Sequence, residues 1–77
     1  MNKFITVLKV ESHVDENGQV VGKFTPVVLN VDHITAILPI EDTFELELGA
    51  KSELRATNVP FSMIAETQEE LLNKIYA

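Results

Sequence analysis

Apolar and polar positions alternate along residues 3–14. Phe4, Thr6, Leu8 and Val10 fall on one side, and Ile5, Val7 and Lys9 fall on the other. A period of two in a segment rich in β-branched and aromatic residues predicts a strand. Asp15-Glu16-Asn17-Gly18 follows; Asn-Gly admits positive φ, which predicts a hairpin turn. Residues 19–24 form the return arm, where Gly22 marks a bulge or a close backbone approach. Pro26 has no N–H, so the strand either breaks there or lies at a sheet edge. Residues 27–31 resume the strand, Asp32-His33 make a tight turn, and residues 35–40 give another strand. After the polar turn at 41–43, residues 44–48 alternate again. Phe44, Leu46 and Leu48 are expected inward and Glu45 and Glu47 outward, on a strand.

Residues 49–60 have weak periodicity and read as a long loop with a short strand near 54–56. Residues 61–65 suit a final strand, although Met63-Ile64-Ala65 equally suits the start of a helix. The C-terminus is the clearest helix. Thr67 followed three residues later by Glu70 is a capping box, and Glu69 and Glu70 sit at the positive end of the helix dipole. Leu71, Leu72, Ile75 and Tyr76 form one apolar stripe. Two to three turns do not persist alone, so this helix must pack on the sheet. The expected fold is mainly β (α+β): a small curled antiparallel sheet, or a partly open SH3-like barrel, of four or five strands with one C-terminal helix.

Length keeps this to a single domain over 1–77. With no cysteine, no disulfide reinforces it, and a chain of 77 residues has a thin stability margin. Hydrophobic residues at 45% suffice for a core. No apolar run reaches the roughly 18 residues of a membrane span, and the start lacks the apolar stretch of a leader. Together with the absent cysteine this suggests the cytoplasm and no membrane partner. Six basic residues against twelve acidic ones give a net charge of −6, which repels phosphate backbones. Nucleic acid is therefore an unlikely partner.

Candidate chemistry is sparse. Asp15-x-Asn17-Gly18 echoes the start of a calcium loop, but Phe24 stands where the closing Glu would be needed. Asp32-His33 fits a turn better than a general base, because its neighbours are apolar. His13 and His33 lack the spacing of a metal pair, and His13 belongs on the solvent side of the hairpin. Ser12, Ser52 and Ser62 have no nucleophile-elbow context, and the glycines at 18, 22 and 49 are too scattered to cradle a phosphate. The reading is no enzyme, with no catalytic residue, no cofactor and no metal.

Two features point to protein contacts instead. Glu41, Asp42, Glu45 and Glu47 crowd four acids together, as a solvated strand face that blocks edge pairing, a divalent-ion site, or a docking face for a basic partner. Val14, Val20, Val21 and Phe24 make the outer half of the first hairpin apolar. Such an arm either folds over its own core or is buried in a partner or second copy.

Residues 28–34 (Val-Leu-Asn-Val-Asp-His-Ile), the strand after them, and residues 65–75 (Ala-Glu-Thr-Gln-Glu-Glu-Leu-Leu-Asn-Lys-Ile) resemble small uncharacterised proteins of Bacteroides-type bacteria. More loosely they resemble the FlbD-type flagellar-operon family, and the helical ending is similar to the last part of LytTR DNA-binding domains. The resemblance covers about residues 26–48 and 61–76, with a longer first hairpin and a longer 49–60 segment here. It implies a small bacterial fold and brings no catalytic residue. The expected function is a non-enzymatic interaction module, a homo-oligomer (dimer or higher) or a component of a larger protein assembly, with Val14, Val20, Val21, Phe24, Glu45 and Glu47 as interaction residues. The alternative is a small transcriptional or RNA-linked regulator, for which Lys9, Lys23, Lys51 and Arg55 would have to converge.

Overall fold

The computed structural model describes residues 3–57 and 59–77, leaving aside the side chains of residues 59–61. Met1 and Asn2, in the segment read for a leader, and Asn58, in the expected loop, lie outside the described residues. Five strands, β1 (Phe4–Val14), β2 (Val20–Asn30), β3 (Ile34–Pro39), β4 (Ser52–Ala56) and β5 (Val59–Ile64), form one antiparallel sheet of order β2-β1-β5-β4-β3. A 3-10 turn at Val31–His33 links β2 to β3, α1 (Thr43–Glu47) links β3 to β4, and α2 (Gln68–Tyr76) ends the chain.

The β1–β2 hairpin pairs without a register shift from Phe4↔Asn30 to Val14↔Val20. Its turn is held by the Asp15 carboxylate, which accepts from the Asn17 and Gln19 N–H groups at 2.9 Å each. Only Gly18 takes positive φ there, at 78°, so Asn17 does not use the freedom expected of it. β2 runs unbroken through Pro26, the edge alternative of the two expected. The physical reason lies in the register. Leu8, which faces Pro26, turns its backbone groups away from β2: its C=O accepts from Ala65 and its N–H donates to Glu66. Pro26 therefore points its nitrogen outward at an edge, where the ladder needs no proton.

One short connection sets the shape of the sheet. Thr25, Lys9, Ile64, Ser52 and Pro39 form a continuous row across all five strands. Asn30 lies beyond that row on one side and Ile34 on the other, because β2 and β3 run the same way at opposite edges. In a flat sheet these two residues would be about 33 Å apart along the strands and about 19 Å apart across them. The link from Asn30 to Ile34 spans at most about 14 Å. The sheet must therefore roll up steeply, and it does so without closing into a barrel: β2 and β3 remain its two edges. The link is itself ordered, with the Asn30 side chain accepting from Asp32 N–H at 2.9 Å, so Asp32-His33 do form a compact turn.

Rolling buries one face. Ile5, Val7, Leu54, Ile64 and Leu71 of α2 make the main core, bordered by Val27, Leu29, Ile34, Ile37 and Ile75. Each fully buried aliphatic side chain here contributes roughly 1.5–3 kcal/mol. Only Leu71 of the expected α2 stripe is fully buried; Ile75 is half-buried, while Leu72 and Tyr76 are exposed. The capping box forms as expected, Thr67 Oγ1 accepting from Glu70 N–H at 3.1 Å and Glu70 Oε1 from Thr67 N–H at 3.0 Å.

Residues 44–48 are not a strand. Asp42 caps a short helix by accepting from Phe44 N–H at 2.9 Å, and Gly49 ends it at φ 105°. Glu and Leu are good helix formers, and Glu is a poor strand former, so a capped segment of these residues prefers the helix despite its alternation. Phe44 and Leu46 stay exposed and Leu48 alone is buried, so the inward and outward faces expected there do not exist. The 49–60 segment is shorter as a loop than expected, because β4 and the start of β5 lie within it; the short strand near 54–56 is real.

α1 docks on the opposite face of the hairpin through a second cluster, Val10, Leu48 and Ala50 with Ile40, Met63 and Ala65. Gly22 makes this possible: a Cβ there would lie 2.0 Å from the Leu48 carbonyl oxygen. The close-approach reading of Gly22 is thus the right one. Gly22→Ala must push α1 off the hairpin and is expected to cost about 2–3 kcal/mol. Gly18→Ala meets nothing within 4 Å and adds only the cost of its positive φ, about 1 kcal/mol. Urea unfolding of both variants checks the difference; equal losses would contradict the docking geometry.

Candidate interaction surface

The two faces of the hairpin differ in chemistry. Because the register never shifts, even-numbered residues of β1 and β2 share one face and odd-numbered residues the other. Lys9, Glu11, His13 and Lys23 are all odd-numbered. The even-numbered positions, 4–14 and 20–30, hold no charged residue at all. They hold Phe4, Leu8, Val14, Val20, Phe24 and Val28 exposed, with Phe4 at 60% and Val28 at 64% of full exposure. Thr6, Ser12, Asn30, Pro26 and Gly22 fill most of the rest. This uncharged apolar stripe follows the convex outer side of the rolled sheet. α1 stands on the same side, with Gly49 against the Phe24 ring and with Phe44 and Leu46 exposed.

Of the residues expected to make contacts, Val14, Val20 and Phe24 lie together on this face. Val21 does not: it pairs with His13 on the charged face. Glu45 and Glu47 sit on α1, Glu45 half-buried and Glu47 exposed, so the acids of 41–47 do not make the alternating strand face expected of them. Phe4, Leu8 and Val28, at the root of the hairpin, complete the stripe. Sequence reasoning placed Phe4 and Leu8 on a common face with Val10 but had no means to tell which face turns inward.

The hairpin also gives the molecule its length. Its extents are 46 × 21 × 21 Å and its radius of gyration is 12.9 Å, against about 11.5 Å for a compact chain of this size. The accessible surface of 5196 Å² exceeds the roughly 4,700 Å² typical of this mass.

Basic residues are set against acids or a helix end. Lys9 lies 3.8 Å from Glu11, Lys23 faces Glu11 across the ladder, and Arg55 pairs with Glu53 at 3.0 Å. Lys3 donates to the carbonyls of Ile75 and Ala77 at the end of α2, at 2.7 and 2.8 Å, where the dipole favours a cation. Lys74 pairs with Glu66 at 2.6 Å, and both then serve the free edge of β1: Lys74 donates to the Thr6 carbonyl and Glu66 accepts from Leu8 N–H. Gln68 does the same for the β3 edge, donating to the Ile37 carbonyl at 3.1 Å. α2 thus bonds to strands on both sides of the rolled sheet. Between α2 and β3 a shallow groove of about 400 Å³ is lined by Ile34, Ala36, Gln68, Leu72 and Tyr76. Glu66 and Lys74 were not singled out by pattern, since each is an ordinary charged residue until the edge of β1 is placed beside it.

Among the described residues no three His, Asp or Glu side chains come together as a metal group. Among the same residues no helix is long and apolar enough to cross a membrane. No protein-family model, no curated protein and no solved structure matches this chain. The surface must therefore be interpreted from its own chemistry.

Glu70 is held below its ordinary value of 4.5, chiefly by the hydrogen bond from the Thr67 backbone, then by the Thr67 hydroxyl and the positive charges of Lys51 and Lys74. A lowered folded-state value stabilises the fold above the unfolded value and is lost as pH falls through the folded one. Stability is expected to drop on acidification below about pH 4.5, and less steeply in Glu70→Gln, which keeps the hydrogen bond without the charge. Thermal melts of both proteins from neutral pH into acid check it; parallel curves would contradict the role given to the carboxylate.

Proposed function

We propose that this protein is a non-enzymatic interaction module that acts through the outer face of its β1–β2 hairpin. The observation that carries the reading is the separation of charge from apolar surface on that hairpin. Both faces are solvent-accessible toward its tip, yet every charged side chain lies on one of them. Solubility alone would place charges on both faces, and a monomer gains nothing from leaving Phe4 and Val28 exposed on a convex sheet surface. An uncharged patch rimmed by polar residues is what a protein partner covers. The basic side chains, which would have to converge for nucleic acid, are engaged with acids or a helix end at Lys3, Lys9, Arg55 and Lys74, and Lys23 stands across the ladder from Glu11.

The test compares tagged wild-type protein with Val28→Lys, which places a charge in the stripe at a well-exposed position. Both are used to recover partners from nuclease-treated lysate of the source cells, read by mass spectrometry. Protein recovery, including untagged copies of the chain itself, is expected with the wild type and at least tenfold less with Val28→Lys, the effect of about 1.4 kcal/mol or more. Equal recovery by the two, or recovery that vanishes with nuclease, would contradict the reading.

A further inference from the structure

We infer that the occupant of the outer hairpin face is a second copy of this chain, packed face to face across a two-fold axis. This rests on the proposed function above and names the partner of the same surface.

Charge argues for the second copy. A protein of net charge −6 repels another copy wherever their acids meet. The even-numbered strand positions bring no charge to such a meeting, since the hairpin's own charges lie behind them and Asp15 and Glu16 lie at its tip, while Glu45 and Glu47 of α1 stand beside them on the same side. An acidic partner finds no base on those strand positions, and a basic one finds acids only on α1 beside them. Area argues the same way. The exposed parts of Phe4, Leu8, Val14, Val20, Phe24 and Val28 come to roughly 550 Å², at the upper end of the largest patch on an ordinary monomer. With Pro26, Phe44 and Leu46 the apolar surface reaches about 800 Å², which is what a standard interface takes from each subunit.

The mode of packing follows from Pro26. The outward backbone groups of β2 would offer an edge for a sixth strand, but Pro26 removes a donor near the middle of that edge. Two copies meet instead through the side chains of this face, with α1, which stands on its middle, inside the contact. The same patch on both copies makes the contact isologous and closed, so assembly stops at the dimer.

Sedimentation equilibrium of the purified full chain between about 10 and 500 µM tests this. The mass is expected to rise from 8.6 kDa toward twice that value, 17.2 kDa, and to go no further. Raising salt from about 0.1 to 0.5 M should favour the dimer, because it screens the repulsion of like-charged copies. Val28→Lys and Thr6→Lys, both exposed on the even face, should remain at 8.6 kDa, while Val21→Lys on the opposite face should dimerise like the wild type. A monomer at every concentration, a dimer that both even-face variants retain, or growth beyond two copies would each overturn the inference. If the purified chain is monomeric while lysate recovery still depends on Val28, the dimer fails and the interaction module stands. If Val28→Lys also leaves lysate recovery unchanged, both fail.

Discussion

The three residues between β2 and β3 constrain everything else in this molecule. They join strands at opposite edges of a five-stranded sheet, staggered in opposite directions from a common row. No flat or gently twisted sheet lets so short a link reach. Rolling the sheet makes Ile5, Val7, Leu54 and Ile64 converge, and that convergence is the core. A domain of 77 residues cannot enclose much, so the roll also decides which apolar residues are left outside.

α2 completes what the roll leaves open. Leu71 enters the core with no exposure, and the polar residues around it bond to strand edges that have no strand neighbour at that level. Glu66 and Lys74 answer β1, and Gln68 answers β3. Ser52, fully buried, donates to the Glu66 carbonyl at 2.7 Å and so fixes the corner from which α2 starts. Unpaired strand edges cost stability and invite aggregation, and a short helix bearing Gln68 and Lys74, with Glu66 just before it, relieves both. This also explains why only part of the α2 stripe is buried: the helix lies across an opening rather than against a broad face.

Much of this was legible in the residues. The alternation of β1, the hairpin at 15–19, the edge position of Pro26, the close approach at Gly22 and the Thr67–Glu70 cap each follow from local stereochemistry, and local stereochemistry prevailed. The 44–48 segment was misread because its period of two is also compatible with one and a half helical turns. Asp42 before it and Gly49 after it are the signals that decide for the helix. The outer face of the hairpin was half legible. Val14, Val20 and Phe24 share it, but Val21 was grouped with them by composition where parity separates it. Phe4, Leu8 and Val28 were invisible as surface, because a strand apolar on both sides does not say which side the core will take. That choice depends on the direction of the roll, a property of all five strands together.

The outer face of the hairpin is left exposed on both sides of α1, and its strand positions carry no charge over their whole length. Its use is tested most directly by isotope-filtered nuclear Overhauser spectroscopy on a mixture of labelled and unlabelled chains, which detects only contacts between copies. Contacts are expected from the side chains of Phe4, Leu8, Phe24 and Val28. The absence of any contact between copies, or contacts arising from Val21 and Lys23 or from the groove beside Leu72 and Tyr76, would contradict this view of the molecule.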